Sequence, residues 1–142
     1  TVDFVDVQET TGNLCPQALA HKLENTPADS RPHLVTVVHY SGRACDMETI
    51  YALKAQYGFA LVEDAAHALG ACYANGAPVG SDSRSDAVVF SFHPVKPITT
   101  GEGGAVTTFH ASLAETLRQM RSHGITREAE MMEQKNMPAW YY

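Results

Sequence analysis

Apolar residues along this chain fall in short runs, separated by polar stretches rich in glycine and proline. Val2 to Val7 (VDFVDV) alternates apolar and polar positions and predicts a strand. Leu34 to Val38 is a β-branched run and predicts a buried strand. Phe59 to Val62 is a short apolar run suited to a strand buried on both faces, closed by Glu63 and Asp64. Ala87 to Phe92 and Ala105 to Phe109 predict two further strands.

The stretches between them carry helical signals. Asn13 is placed to cap a short helix with Pro16 in its first turn, running through Gln17 to Asn25. Asp46 caps a second helix that runs to Tyr57 and stops at Gly58. Ile50, Leu53, Lys54 and Tyr57 share one face of it, with the Lys54 stem lying along the stripe. A third helix is predicted over Ala111 to Ser122, with Leu113, Leu117 and Met120 in line and Gly124 ending it. Residues 26–32 read as loop, Gly42 permits a tight turn, and Ala74-Asn75-Gly76 is a hairpin-type turn. Residues 125–137 are polar and methionine-rich, a mobile or lid-like loop. Strands alternating with helices predict an α/β fold in three layers, a mainly parallel sheet with flanking helices.

Composition narrows the function. The 142 residues carry a net charge of −6, which gives nucleic acid or an anionic membrane no electrostatic attraction. No apolar stretch approaches the roughly 20 residues of a membrane helix, and the opening TVDFVDVQET has no basic leader region. Three widely spaced cysteines, none in a C-x-x-C pair, suit reduced thiols and a cytoplasmic setting. His39, Cys45, Asp46 and His67 follow no known metal-ligand spacing, so no metal is expected.

The candidate chemistry lies between Leu61 and Val106. Asp64 stands at the C-terminal end of one apolar run, where a parallel strand delivers side chains to the ligand crevice of an open α/β sheet. Lys96 stands just past the end of the next run, between Pro94 and Pro97. A residue before proline is pushed out of the helical region, which predicts a stiff, extended loop at Lys96. An amine among apolar neighbours becomes nucleophilic at neutral pH. An acid and a lysine delivered from neighbouring strand ends suit a pyridoxal phosphate site: the acid meets the pyridine nitrogen and the lysine forms the Schiff base. The competing readings are a turn-capping Asp64 and a plain loop lysine.

Three stretches, EDAAHALGA, SFHPVKPITTGEGGAV and RSHGITR, resemble the DegT-type sugar-nucleotide aminotransferases, which are fold-type I pyridoxal phosphate enzymes. VHYSGRACDM also fits the family, and the likeness covers essentially the whole chain. The branch it most resembles aminates a UDP-linked 4-keto-6-deoxy-N-acetylhexosamine on the way to pseudaminic acid.

The resemblance implies roles. Lys96 would hold pyridoxal 5'-phosphate and later move a proton, and Asp64 would keep the ring nitrogen protonated. Ser91 would bind the cofactor phosphate. His67 would pack near the ring; a hydrogen-bonded core histidine is its alternative. Arg121 and His123 match a family signature without an assigned role. The partners implied are a nucleotide sugar, an amino acid donor (glutamate in the family) and a second subunit in a homodimer. The lysine, where some members of the wider family carry histidine and dehydrate, favours amino transfer. Residues 1–142 would be part of the large domain, a central piece supplying the third to seventh strands of the family's sheet. The family's second strand lies between the third and fourth, so Val2–Val7 would lack its inner neighbour. Two alternatives stay open: a truncated, non-catalytic binding fold, and the same chemistry on another nucleotide sugar.

Overall fold

Four strands make one sheet in the order β1-β2-β3-β4: β1 (Leu34–Val38), β2 (Ala60–Asp64), β3 (Ala87–Ser91) and β4 (Gly104–Thr107). β1, β2 and β3 run parallel, and β4 returns antiparallel to β3. The chain is therefore α/β with a mainly parallel sheet. The structure is a computed structural model and describes residues 1–125 and 130. It divides into two compact units, Thr1–Thr108 and Phe109–Tyr142.

In the first unit, α1 (Pro16–Asn25) and α2 (Met47–Tyr57) lay their apolar stripes on one face of the sheet. Leu19 and Leu23 of α1 and Met47, Ile50, Tyr51 and Leu53 of α2 meet Val35, Val37, Leu61, Val88 and Phe90. Asp46 caps α2 as expected, its carboxylate accepting from Thr49 N at 3.3 Å. Gly58 ends α2 in the left-handed conformation, φ 77°, where a side chain would be strained.

Side chains alternate across a strand, so each strand shows its even and odd positions to opposite faces. Val35 and Val37 point into the core, while Leu34 and Val38 remain 52% and 41% exposed. Leu61 and Glu63 are fully buried; Val62 and Asp64 are only half-buried. The register pairs Val38 with Asp64 and Asp64 with Val89, and Val89 with Val106. One sheet face is thus the core, and the other, bearing Leu34, Val38, Val62, Asp64, Val89 and Val106, is open among the described residues of this unit.

Three expectations are corrected here. The Phe59–Val62 strand is not buried on both faces: β2 extends to Asp64 and only one of its faces is covered. Val2–Val7 is not a strand; Val7 makes an isolated bridge to Leu14, and Val2 and Phe4 are exposed. The carboxylates of Asp3 and Asp6 accept from the amides of Phe4 and Val7, at 2.8 Å each, so local bonds replace a ladder. Asn13 does not cap α1, whose N-cap is Cys15, with no side-chain capping bond. Asn13 is instead buried, accepting from Tyr40 N at 2.9 Å and donating to Arg43 O at 3.0 Å, which ties the loop after β1 to the start of α1.

In the second unit, α3 (Ala111–Arg121) forms close to its expected place, and Gly124, at φ 75°, returns its amide to Gln119 O. Leu113 and Leu117 are half-buried and Met120 is exposed. The predicted loop after residue 125, apart from Glu130, and the terminal Trp140-Tyr141-Tyr142 lie outside the described residues. Among the described residues no helix is long and apolar enough to cross a membrane.

Candidate functional site

The C-terminal ends of β1, β2 and β3 collect the candidate residues. Asp64 is the last residue of β2 and Ser91 the last of β3. Because Asp64 pairs with Val89, and Ser91 lies two residues further on, both stand on the open face. Val95 and Lys96 follow in the loop leaving β3.

The backbone around Asp64 is pinned on both sides. Its carbonyl accepts from His39 N at 3.0 Å, and the next amide, Ala65 N, donates to Val89 O at 2.8 Å. Oδ1 of Asp64 accepts from Ala66 N at 3.0 Å. The turn-capping role is therefore real, and it occupies one carboxylate oxygen. Oδ2 makes no hydrogen bond among the described residues.

Lys96 is half-buried, but its loop is not extended as expected. His93, Pro94, Val95 and Lys96 form a tight turn closed by Lys96 N donating to His93 O at 2.9 Å. Proline at the second position of a β-turn explains it, since its fixed φ matches that position. The other described lysines are engaged: Lys22 Nζ pairs with Asp3 at 2.6 Å and Lys54 Nζ with Asp86 at 2.6 Å. The amine of Lys96 makes no ion pair among the described residues.

Ser91 Oγ accepts from His93 N at 3.4 Å, and His93 Nδ1 from Val95 N at 3.4 Å, so both help shape the lysine turn. His67 sits in the turn after Asp64 and is exposed, which overturns the core-histidine alternative. Its ring lies edge-on to Tyr40, with centroids 6.2 Å apart. Gly42 brings the two loops together: at φ 81° its absent Cβ would stand 2.9 Å from His67 O, so only glycine fits there. Among the described residues no group of three or more His, Cys, Asp or Glu is arranged to hold a metal.

The buried histidine is His39, and it belongs to a polar cluster that the sequence reading missed. Glu63, beside Asp64 but on the core face, is fully buried. His39 Nε2 lies 2.7 Å from Oε2 of Glu63, and Tyr73 Oη donates to the same oxygen at 2.8 Å. Tyr51 Oη donates to Oε1 at 3.2 Å, and Ser85 Oγ donates to it as well. Cys45 N donates to His39 Nδ1 at 3.1 Å, which makes Nδ1 an acceptor and puts the proton on Nε2. His39 is thus neutral, and it donates to an ionised Glu63.

Burial pushes the Glu63 carboxyl up, but the hydrogen bonds from His39, Ser85 and Tyr73 outweigh it and hold the group below its ordinary range. Burial, with the Glu63 charge adding to it, pushes the Tyr51 and Tyr73 phenols up and the Cys45 thiol up to about 12. The signal available in the sequence was parity: if Asp64 faces the crevice, Glu63 must face the core and needs donors there.

A carboxylate, a hydroxyl and an amine therefore leave neighbouring parallel strands at one sheet end, the position of the ligand crevice in open α/β sheets. The family model described as the DegT/DnrJ/EryC1/StrS aminotransferase family matches residues 1–140. The chain belongs to this family. UDP-4-amino-4,6-dideoxy-N-acetyl-beta-L-altrosamine transaminase of Campylobacter jejuni is 39% identical over 127 residues, 89% of this chain and 32% of its own length. Among solved structures, Helicobacter pylori PseC, an aminotransferase of pseudoaminic acid biosynthesis, superposes with a TM-score of 0.80 at 32% identity, over 97% of this chain and 35% of that one. DesI, solved in the presence of its TDP-sugar product, gives a TM-score of 0.72 at 40% identity, over 85% and 29%. The chain spans about a third of the length of the curated relatives it matches. As a DegT-family chain it shares the α/β fold of fold-type I aminotransferases.

Proposed function

We propose that residues 1–142 are part of the large domain of a pyridoxal phosphate-dependent aminotransferase that transfers an amino group to C4 of a UDP-4-keto-6-deoxy-N-acetylhexosamine, with glutamate as donor. The observation that carries the reading is the strand register. It sets Asp64 and Ser91 on one face of adjacent parallel strands, with Lys96 in the turn that follows.

These residues fit the cofactor. Asp64 has one carboxylate oxygen engaged by Ala66 N and a second to offer a protonated ring nitrogen. Ser91 offers a hydroxyl to the phosphate, and His67 an exposed ring at the same sheet end. Lys96 offers the amine that attaches the cofactor. When bound, the cofactor supplies an electron sink that stabilises the carbanion of the amino acid donor. With the cofactor bound, the Lys96 amine would serve as base and then acid for the proton on the donor Cα. The homodimer belongs to this reading through the family resemblance, and the cytoplasmic location through the unpaired cysteines.

The test uses the full-length protein, loaded with pyridoxal phosphate and supplied with glutamate. It predicts conversion of the UDP-4-keto sugar to its 4-amino product. A second reading, the same transfer on another nucleotide sugar, is favoured by the likeness to DesI with its TDP-sugar product. Turnover of a TDP-linked 4-keto sugar in preference to the UDP-linked one would select it. No turnover of either would reject amino transfer to a nucleotide sugar.

A further inference from the structure

The chemistry proposed above uses Asp64 and leaves Glu63 without a task. Yet Glu63 is the described residue on which the polar interior converges. Its carboxylate takes hydrogen bonds from four side chains, His39, Tyr51, Tyr73 and Ser85. Each donor comes from a different segment: the loop leaving β1, helix α2, the hairpin after β2 and the approach to β3. An ionised, fully buried carboxylate is held because these donors face it.

The contacts tie Glu63 to its neighbour. His39 donates from its ring to Glu63 and from its backbone to Asp64 O, so one residue grips both. His39 is held in that tautomer by Cys45 N. Tyr73 Oη also accepts from Gly80 N at 2.8 Å, which anchors the far arm of the hairpin after β2. Ser85 lies just before β3, and Asp86 N, between them, donates to Leu61 O at 2.9 Å. Removing the carboxylate would leave all four donors without this acceptor and loosen the segments that flank the end of β2.

We propose that Glu63 is a positioning residue. Its buried carboxylate, held by His39, Tyr51, Tyr73 and Ser85, fixes the end of β2 so that Asp64 meets the protonated ring nitrogen of the cofactor. The proposal rests on the reading of Asp64 given under Proposed function.

The experiment reads the ring nitrogen itself. The full-length protein is loaded with pyridoxal phosphate labelled with ¹⁵N in the ring, and the ¹⁵N resonance reports whether that nitrogen is protonated. Wild type should show the protonated position and Asp64→Ala the unprotonated one. Glu63→Ala should move the resonance more than half of that interval, and Ser85→Ala and Tyr73→Phe should move it part of the way. Glu63→Gln should stay near wild type, because its amide oxygen can accept from His39 and Tyr73 while its NH₂ donates to the Ser85 and Tyr51 hydroxyls.

If Glu63→Ala does not fold, Ser85→Ala and Tyr73→Phe decide the matter. Variants that melt earlier but keep the wild-type resonance would reduce Glu63 to a structural role and overturn the proposal. If wild type and Asp64→Ala already gave the same resonance, the reading of Asp64 would fall, and the proposal with it.

Discussion

Replacing Asp64 with asparagine separates its two roles. In the structure Oδ1 accepts from Ala66 N at 3.0 Å, a turn bond that an asparagine carbonyl can keep. The stability of Asp64→Asn should therefore stay within about 0.5 kcal/mol of wild type, as for ordinary substitutions that break no contact. Asp64→Ala loses the turn bond and should cost about 0.5–1.5 kcal/mol. Activity should behave differently. Both variants lose the charge that holds a proton on the ring nitrogen, and a charge-assisted bond is worth about 1.5–3 kcal/mol. At about 1.36 kcal/mol per tenfold, that is a loss of at least roughly 10- to 150-fold in turnover. Chemical denaturation gives the first quantity, and transamination by the full-length protein gives the second. If Asp64→Asn kept turnover within about twofold of wild type, Asp64 would be a turn residue only.

Three further outcomes follow from the sheet faces and the buried groups. Val37→Ala, on the core face at 0% exposure, should cost about 2–3 kcal/mol, and Val38→Ala, on the open face, under about 1 kcal/mol; equal costs in urea titrations would mean that the face is not open. Folding lowers the Glu63 pKa, so its stabilisation is complete above the ordinary value of 4.5 and is lost as pH falls through the lower folded value. Glu63→Gln should flatten that acid limb of the stability curve, and an unchanged limb would contradict the ionised cluster. At pH 8 a thiol reagent should label exposed Cys72 well before buried Cys45, whose thiol is pushed up to about 12; labelling at equal rates would contradict that burial.

The parts of the fold legible in the sequence are those set by local chemistry. The β-branched run Leu34–Val38, the Asp46 cap and the Gly58 stop each specify their element almost alone, and they stand where they were expected. That Asp64 ends β2 and that Lys96 lies past β3 was legible because each follows an apolar run. What escaped depended on distant chain. Val2–Val7 has a strand-like pattern but no ladder beside it, so Asp3 and Asp6 take its amides. Asn13 looks like a cap until Tyr40 and Arg43 claim its side chain. Glu63 looks like a strand terminator because its donors lie 10 to 24 residues away. The lysine turn escaped for a local reason. Pro97 favours an extended Lys96, but Pro94 favours the second position of a turn, and the turn forms.

The central proposal is that Lys96, in the turn past the end of β3, is the residue that holds the cofactor. Borohydride reduction of the full-length protein with pyridoxal phosphate, followed by peptide mapping, tests it most directly. The account predicts a pyridoxyl label on Lys96 and on no other lysine of this stretch. A label spread over Lys22, Lys54 and Lys135, or absent from Lys96, would contradict it.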